Sequence, residues 1–158
     1  MSEPRLKYGQ LAPEGFEKLK ALEHYLNTGS GLDTPLRELV RLKVSTMNGC
    51  EYCLRLHTSE LQKVNETAER IAGVAEWRSS SIYTQRERAA LAWAEAVTNI
   101  QDGHAPDAVY DEVRAHFSDV EVANLTLMIA TINAWNRISI SLGTHSGHAV
   151  PKDAGVTV

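Results

Sequence analysis

Apolar residues in this chain return at spacings of three and four, and no convincing apolar–polar alternation persists beyond four positions. A strand repeats every two residues and a helix about every 3.6, so the pattern predicts an all-α fold. Gly, Pro, Asn and Ser gather between the periodic stretches and divide the chain into about seven helices of one bundle. The first runs from Pro13 to about Asn27, with Leu19, Leu22 and Leu26 on one face, and Gly29-Ser30-Gly31 ends it. Asp33 or Thr34 caps the second, which has Pro35 in its first turn and continues through Leu36, Leu39, Val40, Lys43, Val44 and Met47 to Asn48-Gly49, a C-cap and turn signal. The third runs from Cys50 to about Val64, and Asn65 reads as the cap of a fourth, Glu66 to about Val74.

Trp77 and Ser79-Ser80-Ser81 interrupt the pattern, and a capping box, Thr84 with Glu87, opens a fifth helix to about Ile100. Asp102, Gly103 and Pro106 separate it from a sixth, Asp107 to Phe117. A second capping box, Ser118 with Glu121, precedes the longest apolar run, Val122 to about Leu142. No linker or repeat divides the sequence, which reads as a single domain over residues 1–158 with its core at about 34–142 and a weakly structured tail, 143–158.

At 158 residues and 43% hydrophobic, the chain can bury a core without staples. Its formal net charge is −4 and its Lys and Arg form no dense run, which argues against a nucleic-acid partner. No apolar stretch reaches the roughly 20 residues of a membrane span, and the N-terminus has no apolar signal core, so no membrane role and a cytoplasmic location are expected.

The two cysteines form a single Cys-x-x-Cys, Cys50 and Cys53. A bridge closing so short a loop adds little stability, so the pair points to chemistry. Three spacings support that. Residues three apart on a helix are neighbours, and the N–H groups at a helix start stabilise a thiolate. Cys53 and His57 are four apart and share a face, so an imidazole sits beside one thiol. Glu38 lies about ten residues before the Asn48-Gly49 turn and His57 about eight after it. In an antiparallel hairpin with about 1.5 Å rise per residue they sit within about 3 Å of the same height. The expected relay runs from Glu38 to His57 to Cys53, directly or through a water, with Cys50 completing a disulfide.

Metal is the chemical alternative, since Cys50, Cys53 and His57 could supply three zinc ligands. A structural site wants a fourth, and the sequence has no third cysteine; only His145 and His148 in the tail could add one. We expect no metal and no cofactor.

The segment Glu38, Cys50, Cys53, His57, a glutamate followed after eleven residues by Cys-x-x-Cys-x-x-x-His, resembles the alkylhydroperoxidase D-like (AhpD-like) branch of the carboxymuconolactone decarboxylase family. The likeness extends through Arg37-Glu38-Leu39, Asn48-Gly49-Cys50, Glu87-Arg88-Ala89-Ala90-Leu91-Ala92 and Ile132-Asn133-Ala134-Trp135-Asn136-Arg137, about residues 34–138. It implies an AhpD-like all-α bundle with the Cys-x-x-Cys at the start of the third helix. The subunits of such proteins assemble as homo-oligomers, trimers or hexamers. It implies a peroxidase of peroxiredoxin type that reduces hydroperoxides and is re-reduced by a dithiol protein, lipoyl-bearing or thioredoxin-like. By matching positions Cys53 is the peroxidatic cysteine, Cys50 the resolving one, and Glu38 and His57 the proton relay. In thioredoxin-like sites the first cysteine attacks, which leaves Cys50 as the alternative. The best-known peroxidase members carry a second histidine between the cysteines, where this chain has Tyr52. A phenol cannot assist a thiol near neutral pH as an imidazole can. That substitution keeps open a non-enzymatic redox-sensing or binding role on the same fold. The decarboxylase branch lacks the cysteine pair, so lactone decarboxylation is not expected.

Asn133, Asn136 and Arg137 interrupt an apolar helix and are expected either to pair within an oligomer contact or to line a pocket above the thiols. Trp77, Trp93 and Trp135 are expected as core or interface anchors.

Overall fold

The computed structural model describes residues 4–143. Among them are eight helices, α1 (Tyr8–Leu11), α2 (Pro13–Thr28), α3 (Thr34–Asn48), α4 (Glu51–Lys63), α5 (Ala68–Gly73), α6 (Gln85–Thr98), α7 (Asp107–His116) and α8 (Asp119–Leu142), with a 3-10 segment, Val74–Ser79, and no strand. The all-helical bundle is the one the periodicity predicts. It has one helix more than the expected seven because the four-residue α1 precedes Pro13, so the hairpin of interest is α3–α4 and the Cys-x-x-Cys opens the fourth helix. The expected tail lies outside the described residues apart from Gly143.

Local signals set most boundaries. Asp33 caps α3, its carboxylate accepting from Leu36 N at 2.9 Å. Both capping boxes form: Thr84 N donates to Glu87 at 2.8 Å and Ser118 N to Glu121 at 2.8 Å, each with the reciprocal bond. Gly49 ends α3 in the left-handed region, φ +68°, and donates to the carbonyls of Ser45 and Thr46. Asn65 does not cap a helix. It is left-handed itself, φ 59°, whereas an N-cap needs extended backbone, and the cap passes to Thr67, which accepts from Arg70 N at 3.3 Å.

The core forms around α3, where every residue from Leu36 to Ser45 is buried. Leu36, Val40 and Val44 pack into a cluster with Leu26 of α2 and Leu125, Met128, Ile129 and Ile132 of α8. Leu39 and Leu42 pack into a second with Leu61, Val74, Trp77, Tyr83 and Leu91. That division leaves a third stripe, Glu38, Arg41 and Ser45, at spacings of three and four. This polar stripe is sealed by α2, α4 and α8, and it carries the site. Trp77, Trp93 and Trp135 are all buried.

Candidate active site

The tight Asn48-Gly49 turn folds α4 back along α3, and Cys50 N donates to Ser45 O at 3.0 Å across it. Cys50 is the N-cap residue of α4 and Cys53 its third residue, so both sulfurs stand in the first turn, where unsatisfied N–H groups favour a thiolate. They are joined as a disulfide with Cα atoms 5.3 Å apart, and both residues are buried.

One turn further, His57 is fully buried and its Nδ1 lies 2.8 Å from Glu38 Oε2. Burial works to raise the Glu38 carboxyl, but the hydrogen bond and charge of His57 and the Arg41 guanidinium outweigh it and hold the group below the ordinary carboxylate range. Glu38 is therefore an acceptor, and Nδ1 carries the proton between them. That tautomer makes Nε2 the basic nitrogen. Nε2 is buried and has no hydrogen-bond partner among the described residues, on the helix face that Cys53 shares.

Two residues that the spacing argument did not single out complete this cluster. Arg41, fully buried, donates through Nη1 to Glu38 Oε1 at 2.6 Å, and through Nη2 to Asn27 Oδ1 at 2.8 Å and to Glu23 Oε1. Glu23 Oε2 accepts from Trp135 Nε1 at 3.2 Å. The Glu38-x-x-Arg41 spacing was a visible signal, since residues three apart can pair. Glu23 carried a weaker one: it stands four residues after Leu19 and three before Leu26, beside the apolar face of α2, but its partner lies on another helix.

Asn133, Asn136 and Arg137 are hydrogen-bonded within the chain, to α3 and to one another. Asn48 Nδ2 donates to Asn133 Oδ1 at 3.0 Å and to Asn136 Oδ1 at 2.9 Å, Asn136 Nδ2 donates to Ser45 Oγ at 3.1 Å, and Arg137 donates to Asn133 Oδ1 at 2.6 Å. Together they fasten the turn before Cys50 to α8. Tyr52, between the cysteines, is half-buried, and burial pushes its phenol up to about 12. Among the described residues no group of three or more His, Cys, Asp and Glu is arranged to hold a metal, and no helix is long and apolar enough to cross a membrane.

The profile of the carboxymuconolactone decarboxylase family matches residues 13–96, just over half the chain. The uncharacterized protein YdfG of Bacillus subtilis (strain 168) is 38% identical over 142 residues, covering 90% of this chain and 96% of that protein. Among solved structures, a protein of unknown function from Agrobacterium tumefaciens, provisionally named antioxidant defence protein AhpD, matches with a TM-score of 0.87 at 38% identity over 94% of this chain and 99% of that one. The debrominase Bmp8 matches with a TM-score of 0.66 at 24% identity over 85% of this chain and 72% of that one, a likeness of fold alone. The chain belongs to the carboxymuconolactone decarboxylase family, in its AhpD-like branch.

Proposed function

We propose that this chain is a thiol-dependent peroxidase that reduces hydroperoxides through a Cys50–Cys53 dithiol/disulfide cycle. The observation that carries the reading is the buried Glu38–His57 pair, whose remaining nitrogen, Nε2, has no other partner on the helix face shared with Cys53.

In this cycle His57 Nε2 takes the Cys53 proton, and Glu38 stabilises the imidazolium. The Cys53 thiolate attacks the terminal oxygen of the hydroperoxide and the O–O bond breaks. Cys53 becomes a sulfenic acid, and the departing alkoxide takes the proton from His57 and leaves as the alcohol. Cys50 then displaces hydroxide from the sulfenic sulfur, which gives water and the disulfide. A dithiol protein, lipoyl-bearing or thioredoxin-like, reduces the disulfide and is itself oxidised. A reducing compartment, the cytoplasm, suits that cycle, and a homo-oligomer suits the family.

The test is a free-thiol count on reduced protein before and after one equivalent of an organic hydroperoxide. Wild type should lose two thiols rapidly and Cys53→Ser should react slowly or not at all. His57→Ala should slow the loss by about 10²- to 10⁴-fold, the usual worth of a positioned base. Survival of both thiols in wild type would overturn the assignment.

Tyr52 favours a second reading, a redox sensor that forms the disulfide without turnover, because its phenol stays protonated where a histidine would exchange protons. Rapid disulfide formation with no re-reduction by a dithiol protein would select it.

A further inference from the structure

Glu23 is 2% exposed and lies on α2, outside the Glu38–His57 segment. Both of its oxygens accept hydrogen bonds, one from Arg41 and one from the Trp135 indole, which is the pattern of an ionised carboxylate. Arg41 divides its guanidinium between Glu23 and Glu38. The directly bonded cluster thus holds two carboxylates and one guanidinium, with His57 at its end. With His57 neutral it carries one uncompensated negative charge in a place closed to water, and a proton on His57 cancels that charge.

The surrounding groups do not change this count. From α2 come Glu23 and Asn27, from α3 Glu38 and Arg41, and from α8 the uncharged Trp135. Arg37 feels Glu23, Glu38 and Arg41 of the cluster together with Asp33, a carboxylate of opposite sign, and its guanidinium donates to Leu32 O and Thr34 Oγ1. On α4 itself the cysteines are joined and do not titrate.

We infer that Glu23 is a positioning residue for the relay: by sharing the Arg41 guanidinium with Glu38 it leaves the cluster one net negative charge that faces His57. Without Glu23, one carboxylate and one guanidinium remain, and the net negative charge beside the imidazole is gone. With Glu23 in place, the proton that leaves Cys53 has a favourable resting place on His57. This role rests on the peroxidase reading for its purpose, but not for its measurement.

The experiment is an NMR titration of the His57 imidazole in the disulfide form, where neither sulfur titrates, for wild type and Glu23→Gln. The proposal expects His57 to titrate lower in Glu23→Gln by about one pH unit, the effect of one charge at this range in a protein interior. Glu23→Asp, which keeps the charge, should restore most of the shift, and a loss of packing alone would not be rescued in this way. Glu23→Leu combined with Trp135→Phe removes the charge together with the donor it satisfied, and reads the same quantity should the amide variant not fold. A shift below about 0.3 unit in a folded variant without the Glu23 charge would overturn the inference. Because no peroxide is involved, that failure is distinct from failure of the peroxidase assignment, which the thiol count reads.

Discussion

Asn48 and Asn136 are 88 residues apart in sequence and joined by a hydrogen bond of 2.9 Å, from Asn48 Nδ2 to Asn136 Oδ1. Asn136 passes the connection on to Ser45 Oγ, so the last turn of α3 is tied at two points to the longest helix. Asn136 is fully buried, and truncating it takes away the donor to the buried Ser45 hydroxyl and one of the two acceptors of Asn48. Asn136→Ala should destabilise the reduced protein by about 1–3 kcal/mol, read by denaturant unfolding. A loss under about 0.5 kcal/mol would mean that the bonds do not brace the turn.

Gly49 makes the reversal that brings α4 alongside α3. A Cβ at this position would meet nothing within 4 Å, so the cost of a side chain is the left-handed backbone alone, φ +68°. Gly49→Ala should cost about 1–2 kcal/mol and Gly49→Asn less, since Asn tolerates this conformation better. Equal costs for the two variants would point to a steric cause instead.

Acid stability follows from Glu38. Its folded carboxyl titrates below the ordinary value, because His57 and Arg41 outweigh the opposing effect of burial. A depressed folded value stabilises the native state at pH above the unfolded carboxyl, about 4.3, and that contribution disappears as pH falls through the lower folded value. The stability advantage of wild type over Glu38→Gln should therefore be full at neutral pH and shrink below about pH 4. A difference that is constant with pH would show that Glu38 is not held in its charged form.

Tyr52 makes the opposite kind of prediction. A phenol pushed up to about 12 by burial stays protonated throughout the working range. Tyr52→Phe should leave the rate of peroxide-driven disulfide formation within about twofold of wild type between about pH 6 and 9, whereas Tyr52→His should raise it near neutral pH. A new pH-dependent limb in the phenylalanine variant would show that the phenol takes part.

The meeting of Glu38 and His57 was legible because both lie on helices of one short hairpin, where rise per residue fixes height. The two capping boxes were legible for the same reason: their partners are three residues apart. What escaped is non-local. Glu23 is 18 residues from Arg41 and looks like any charge on an amphipathic helix until α2 is laid against α3. Asn133 and Asn136 announced that something polar interrupts α8, but their partner, Asn48, is set by the packing of two helices distant in sequence. The misread cap at Asn65 is local, but two competent caps stood within three residues, and the backbone chose Thr67. The four-residue α1 is too short for periodicity to register.

From Leu36 to Ser45, α3 has no side that meets water, and the same stretch supplies both halves of the hydrophobic core and the charged stripe. A surface helix offers neutral positions where sequence can drift, but this one offers none. A substitution that loosens the packing on one face also moves a charge on another. Room for substitution therefore lies in the elements around α3, at half-buried Tyr52 and the partly open positions of α4 above all, and not in the central helix itself.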